Sequence, residues 1–473
     1  MEQLPSLGHL GHARGGRPGL AHRDEPGPLA CDAACGGAGR GLSVRASARA
    51  RSRSEASEAK EEKVSATVFE RVAKRIDGYR DWIVEVQTKL TATKALDPAS
   101  GGDGEGEKAK LVLAILSELG VKEIQVLESD DERVSTGKRP NIVARVPGMD
   151  RSRTLWIMSH MDVVPAGDLK DWKSDPWTVR VEGDRIYGRG VEDNQQGMMG
   201  SLCLVRAMHE ERAEPPFDLA LLFVADEETG NKRGIEFLLG KHEIFRPGDS
   251  IVVPDGGSVD GSMIEVAEKG IVWLRCNVRG KAAHGSLPDR GINAHMAAAH
   301  MVVRLEKLGE RFSRRDEVFD PPTCTFPVTK VEAGVPNVNT IPGEHTFYLD
   351  CRVVPGYSLD EVIGAVQEIT AAVDRERGTT TTVDHVQRTD AAPPTATDAP
   401  VVKALGRAVK AVYGVEGKPM GIGGGTVAAC IRRKGYAAAV WGRMDETMHG
   451  PNEYCILSNL MGDAKVFAHM LFV

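Results

Sequence analysis

Leu155-Trp156-Ile157-Met158-Ser159-His160-Met161-Asp162 holds four large apolar residues that end on a serine, a histidine and, two places later, an aspartate. A continuous apolar run of this kind suits a strand buried on both faces. Ser, His and Asp do not fit inside such a strand, so they mark its end. The pattern recurs. Ile186-Tyr187 runs into Gly188-Arg189-Gly190-Val191-Glu192-Asp193, residues 219–225 into Asp226-Glu227-Glu228, and residues 251–253 into Pro254-Asp255-Gly256-Gly257. Far downstream, residues 437–441 lead to a loop carrying Asp445, Glu446 and His449. Helical spacing separates several of these runs, most clearly over 196–211. The alternation predicts an α/β fold with a mostly parallel sheet and helices on both faces. Ligands of such sheets bind beyond the carboxyl ends of the strands, where these polar residues fall.

A lone histidine or aspartate in a loop is ordinarily a solvated or satisfied side chain. Five strand ends in series, each delivering His, Asp or Glu, are another matter. Two histidines and several carboxylates, with no cysteine among them, form the nitrogen and oxygen donor set of a hydrolytic zinc site. A two-metal centre needs a carboxylate that spans ions about 3.5–4 Å apart. The adjacent Glu227 and Glu228 let one carboxylate bind metal while the other faces a substrate.

The three runs Ser159-His160-Met161-Asp162-Val163-Val164-Pro165, Gly188-Arg189-Gly190-Val191-Glu192-Asp193 and Asp226-Glu227-Glu228-Thr229-Gly230 resemble the acetylornithine deacetylase and succinyl-diaminopimelate desuccinylase family. Aminoacylases, carnosinases and related di-zinc dipeptidases belong to the same family. The resemblance runs in order from about residue 70 onward. It departs at Asn194-Gln195-Gln196-Gly197, where many members carry Met-Lys-Gly or Asp-Lys-Gly. It implies two divalent ions, zinc first, with cobalt or manganese as alternatives. His160 and Asp255 would hold one ion, Glu228 and His449 the other, and Asp193 would bridge them. Asp162 would orient a neighbouring group, and Glu227 would be the general base that moves a proton from water to the leaving amine.

Residues 264–388 are patterned differently. Val272, Leu274, Cys276 and Val278 alternate with polar or exposed-type neighbours, as in a half-buried strand. A helix over 293–308, strands near 325–331 and 346–353, a helix over 359–373 and a strand over 380–388 complete a βαββαβ order. That order is the split ferredoxin-like unit. It is similar to the family's lid, which also mediates dimerisation, so the expected division is 64–263 with 389–473 as the catalytic domain and 264–388 as lid. In the lid, the resemblance implies that His284 contacts the developing oxyanion; an exposed loop histidine is the plainer alternative. Asn339 and Arg352 match a substrate-contacting pair, although Arg352 shares a strand face with Asp350 and an ion pair competes. Gly-Ile-Gly-Gly-Gly-Thr at 421–426 lacks the Lys-Ser/Thr ending of a phosphate loop. By resemblance, Gly424 and Thr426 line the substrate pocket instead.

Composition bounds the rest. The 473 residues, 41% hydrophobic and 27% charged, suffice for two domains. No apolar run approaches the roughly 18 residues of a membrane-spanning helix. A net charge of -7 disfavours a nucleic-acid surface. The eight cysteines form no framework, and Cys203, Cys276, Cys351 and Cys430 lie in apolar runs as small buried hydrophobes. A reducing, cytoplasmic setting is therefore expected. Residues 1–63, rich in Gly, Arg, Ala and Ser, read as a disordered or artefactual extension. The expected activity is hydrolysis of an amide on a small carboxylate-bearing substrate by metal-activated water, deacetylase- or desuccinylase-like. A dipeptidase is the alternative. A non-catalytic metal binder is disfavoured, because Glu227 and all five ligand candidates are present. The expected partners are the small substrate and a second copy bound through the lid, with no nucleic acid and no membrane.

Overall fold

Leu155 and Ile157 turn to one face of the central strand Asp150–His160, Trp156 and Met158 to the other, and all four are buried. This is the strand covered on both sides that the apolar run predicts. The computed structural model describes residues 67–332 and 334–473; the extension expected over 1–63 lies outside them. Eight strands lie in the order Glu123–Asp130, Lys138–Val146, Phe217–Val224, Asp150–His160, Ser250–Val253, Ala438–Val440, Met263–Glu268, Lys418–Ile422. Asp150–His160 pairs in parallel with both neighbours, as do Ala438–Val440 with Ser250–Val253 and Lys418–Ile422 with Met263–Glu268. Antiparallel pairing is confined to the Glu123–Asp130 flank and to the contact between Ala438–Val440 and Met263–Glu268. The sheet is thus mostly parallel.

Helices Gln195–Glu211 and Leu457–Phe472 bring Met198, Met199, Leu202 and Phe467 into the same cluster as Leu155 and Ile157. On the other face, Ile235 and Leu238 of Ile235–Lys241 and Ile431 of Ala428–Arg433 join Trp156 and Met158. Among the described residues no helix is long and apolar enough to cross a membrane.

Two segments differ from the sequence expectation. Ile186 and Tyr187 do not run in the large sheet. Their strand, Arg185–Tyr187, lies between Arg180–Glu182 and Tyr454–Ile456 in a small antiparallel sheet. With only Ile186 buried, it is too short and too polar to cross a core. Conversely, residues 264–268, expected at the head of the lid, run in the large sheet. Glu265 and Glu268 disguise this strand, because both carboxylates are buried on the guanidinium of Arg432 at 2.7 and 2.6 Å.

The inserted module begins at Gly270 with the strand Gly270–Arg279. Its sheet runs Val328–Val331, Glu344–Val353, Gly270–Arg279, Thr380–Thr389, antiparallel throughout, with helices Ala294–Leu305 and Leu359–Arg377 in the βαββαβ order. Ser358 and Glu361 cap Leu359–Arg377 reciprocally, and Gly378 ends it in the left-handed conformation at φ 72°. Cys203, Cys276 and Cys351 are buried and free, whereas Cys430 is only half-buried.

Beneath the sheet's carboxyl end, buried Arg139 pairs with Glu105, with Asp97 at 3.0 Å and with Asp131 at 3.2 Å. Glu105 in turn accepts the N–H of Asp226 at 3.2 Å, at the start of the turn that carries Glu227 and Glu228. Arg139→Ala strands these carboxylates without their counter-charge. It is expected to cost about 3–5 kcal/mol, read by urea unfolding, as for other broken buried ion pairs.

Candidate metal centre

His160 is the last residue of its strand, and Asp255 follows Ser250–Val253 by two places. Glu227 and Glu228 follow Phe217–Val224. Asp193 sits two residues before helix Gln195–Glu211, and His449 lies in the loop after Ala438–Val440. These elements converge. His160 Nε2 lies 2.8 Å from Asp193 Oδ1 and 3.4 Å from Asp255 Oδ1. His449 Nε2 lies 3.1 Å from Asp193 Oδ2 and 3.0 Å from Glu228 Oε2. The donor atoms therefore form two triads, His160–Asp193–Asp255 and Asp193–Glu228–His449, that share one carboxylate. Each oxygen of Asp193 faces a different triad, which is how a carboxylate spanning two ions is presented.

The electrostatics call for cations. Asp162, Asp193, Glu227, Glu228 and Asp255 crowd around two imidazoles. Burial pushes Glu227 well above the usual carboxylate range, and the charge of Asp255 adds to it. Burial likewise raises Glu228 and Asp255. Asp193 goes the other way: burial would raise it, but hydrogen bonds with His160 and His449 hold it well below the ordinary value. The same hydrogen bonds, to Asp193 and Glu228, push His449 up to about 10. Such crowding disfavours the charged carboxylates unless positive charge neutralises them. Glu228 Oε1 is buried with no hydrogen-bond partner, an acceptor left for a ligand. With imidazole nitrogen and carboxylate oxygen as the only donors, the site fits divalent ions of the zinc class.

Asp162 and Asn194 set the orientation of the donors. His160 Nδ1 donates to the carbonyl of Asp162 at 3.0 Å, so Nε2 is the nitrogen turned toward the triad. The Asp162 carboxylate accepts the N–H groups of Glu227 at 3.1 Å and Glu228 at 3.0 Å, tying their turn to the His160 strand. Asn194, which sequence reasoning treated only as a departure from the family pattern, is buried. Its Nδ2 donates to Asp255 Oδ1 and to the Pro254 carbonyl, both at 2.6 Å. An amide directly after a candidate bridging carboxylate was the available signal.

The remaining candidates lie apart from the triads. The short strand Ala283–His284 pairs with Thr340–Ile341, and Gly285 N–H donates to the Asn339 carbonyl at 2.6 Å. His284 and Asn339 are therefore neighbours, both exposed, with the His284 ring 2.8 Å from the Ser286 hydroxyl. Arg352 grips Asp350 through two bonds of 2.7 and 3.0 Å and donates Nη1 to the Gly423 carbonyl at 2.7 Å. Gly424 follows, and the Thr426 hydroxyl donates to Glu268 at 2.7 Å. None of these side chains hydrogen-bonds to the triads.

Residues 156–472 match the family model described as Peptidase family M20/M25/M40. An uncharacterised metallohydrolase of Methanococcus maripaludis is 37% identical over 83% of this chain and 99% of its own length. A succinyl-diaminopimelate desuccinylase of Nitrosospira multiformis is 26% identical over 72% of this chain and 88% of its own. The solved structure of human carnosine dipeptidase 1 superposes with a TM-score of 0.63 at 18% identity, covering 86% of this chain and 98% of that one. That last likeness is one of fold.

Proposed function

This chain belongs to peptidase family M20/M25/M40, and from that premise we propose that it is a di-zinc amidohydrolase removing an acyl group from a small carboxylate-bearing amine. Family membership makes it a metal-dependent hydrolase of amide or peptide bonds. The observation that carries the two-ion reading is Asp193, one oxygen of which faces each triad. When bound, the ions supply Lewis-acid activation of water and of the scissile carbonyl. His160 and Asp255 would hold one ion, Glu228 and His449 the other, with Asp193 shared. Glu227 accepts the proton of the attacking water at its carboxylate and delivers it to the leaving nitrogen. Burial raises its proton affinity, which favours the first of these transfers.

His284 would donate to the carbonyl oxygen, and its neighbour Asn339 would contact the substrate together with Arg352. Arg352 uses three of its five N–H groups on Asp350 and Gly423, which leaves two for a substrate carboxylate. Gly424 and Thr426, just beyond the Gly423 carbonyl that Arg352 holds, would line the substrate's side of the cleft. Support for an acyl substrate comes from the curated desuccinylase relatives. We assign the chain to the cytoplasm and to a homodimer formed through the inserted module, whose helix Ala294–Leu305 exposes Met296 and Val303.

The test is turnover of the zinc-loaded protein against N-acetyl and N-succinyl amino acids and dipeptides, read by mass spectrometry. Cleavage of an N-acyl class is expected; cleavage of dipeptides alone replaces the deacylase reading with a dipeptidase. On the cleaved substrate, Arg352→Ala should raise KM by about tenfold or more, the worth of a charge-assisted hydrogen bond. The corresponding carboxamide substrates should change little. An equal effect on both would reduce Arg352 to its ion pair with Asp350.

A further inference from the structure

Two further carboxylates lie fully buried beside the triads, and each reaches into the opposite half of the site. Glu453, four residues beyond His449, accepts the N–H groups of Gly190 and Glu192 at 3.0 Å and of Asp193 at 3.1 Å. It also takes Nη1 of buried Arg189 at 2.6 Å. Arg189 Nη2 returns to the carbonyls of His449 at 3.3 Å and Gly450 at 3.2 Å. Glu192, adjacent to Asp193, does the reverse. Its carboxylate accepts the N–H of Asp445 at 2.9 Å, the N–H of Thr447, and the Thr447 hydroxyl at 2.7 Å. The small sheet closes the same junction, with Tyr187 opposite Tyr454 and Gly188 N–H on the Glu453 carbonyl at 3.0 Å.

We propose that Glu192 and Glu453 are positioning residues: a reciprocal clasp in which the Asp193 loop and the His449 loop each hold the other by a buried carboxylate. The clasp sets the separation of Asp193 and His449, and it rests on the two-ion reading given above. Its need follows from where the ligands stand. His160 ends a strand of the large sheet and Asp255 follows one closely, so hydrogen-bonded neighbours already fix them. Asp193 and His449 stand on irregular backbone, whose N–H groups have no ladder to satisfy them. Buried carboxylates that accept several backbone N–H groups supply both the bonding and the rigidity. Residues acting behind a ligand in this way change metal affinity by about 10- to 100-fold.

The asymmetry gives the test. Apoprotein is titrated with cobalt(II), followed by calorimetry and by the visible spectrum. Wild type must first take up two ions; one or none overturns the two-ion reading itself. Given two, Glu192→Gln and Thr447→Val should each weaken the second ion about 10- to 100-fold and alter its absorption band, leaving the first within about threefold. Thr447→Ser, which keeps the hydroxyl, should restore the second ion. Glu453→Gln, acting on the shared Asp193, should weaken both. Should the buried Glu variants fail to fold, the Thr447→Val and Thr447→Ser pair decides alone. An unchanged second ion in Thr447→Val, equal weakening of both ions there, or no rescue by Ser would overturn the clasp.

Discussion

Glu227→Gln is expected to keep the metal content of wild type, two ions on the reading proposed above, while kcat falls about 10²- to 10⁴-fold, the worth of a positioned general base. The substitution keeps the shape and the backbone. The Glu227 N–H stays on Asp162, so the turn that presents Glu228 is not disturbed. Only the capacity to accept and return a proton is lost. KM should move little, because the group acts on water and the leaving nitrogen rather than on the substrate's bound portion. Metal analysis of the purified variant beside steady-state kinetics separates the two effects. Retention of most activity with both ions present would assign the base elsewhere.

Asp193→Asn strikes both triads at once. Its oxygens lie 2.8 Å from His160 Nε2 and 3.1 Å from His449 Nε2, and among the described donors it alone belongs to both triads. An amide presents one neutral oxygen where two charged ones stood. Both ions should weaken by more than about 100-fold, beyond what a residue behind the ligands costs, and turnover should vanish with them. His449→Ala is the control, because it removes a donor from one triad only and should spare the ion at His160 and Asp255. Equilibrium dialysis with zinc measures each stoichiometry. Two ions retained by the Asn variant would show that Asp193 is not shared.

The strand ending in His160 was legible because its apolar run and its polar stop are local. The same holds for the turns after Phe217–Val224 and Ser250–Val253. Met263–Glu268 was not legible, since its two buried glutamates become tolerable only through Arg432, more than 160 residues away. Arg185–Tyr187 was misplaced for the same kind of reason: its partner Tyr454–Ile456 lies far along the chain, and pairing of that range leaves no local signature. At the site, the strand ends pointed to His, Asp and Glu as a class, and it was the family resemblance that singled out His160, Asp193, Glu228, Asp255 and His449. The Asn194 contact with Asp255 depends on backbone geometry that no periodicity reports.

Strand Ala438–Val440 lies between Ser250–Val253 and Met263–Glu268, as the sixth of the eight strands of the large sheet. It is synthesised only after the whole inserted module. At roughly 5–20 residues per second, the ribosome needs about 10–35 s to pass from Met263 to Ala438. Through that interval Ser250–Val253 and Met263–Glu268 lack the strand that joins them, and His449 has not been made. The inserted module, whose four strands all lie within residues 270–389, is complete well before. Of the eight-stranded and four-stranded sheets, the four-stranded one is thus the first that can close on the ribosome, and the second triad is assembled only after His449 has been made.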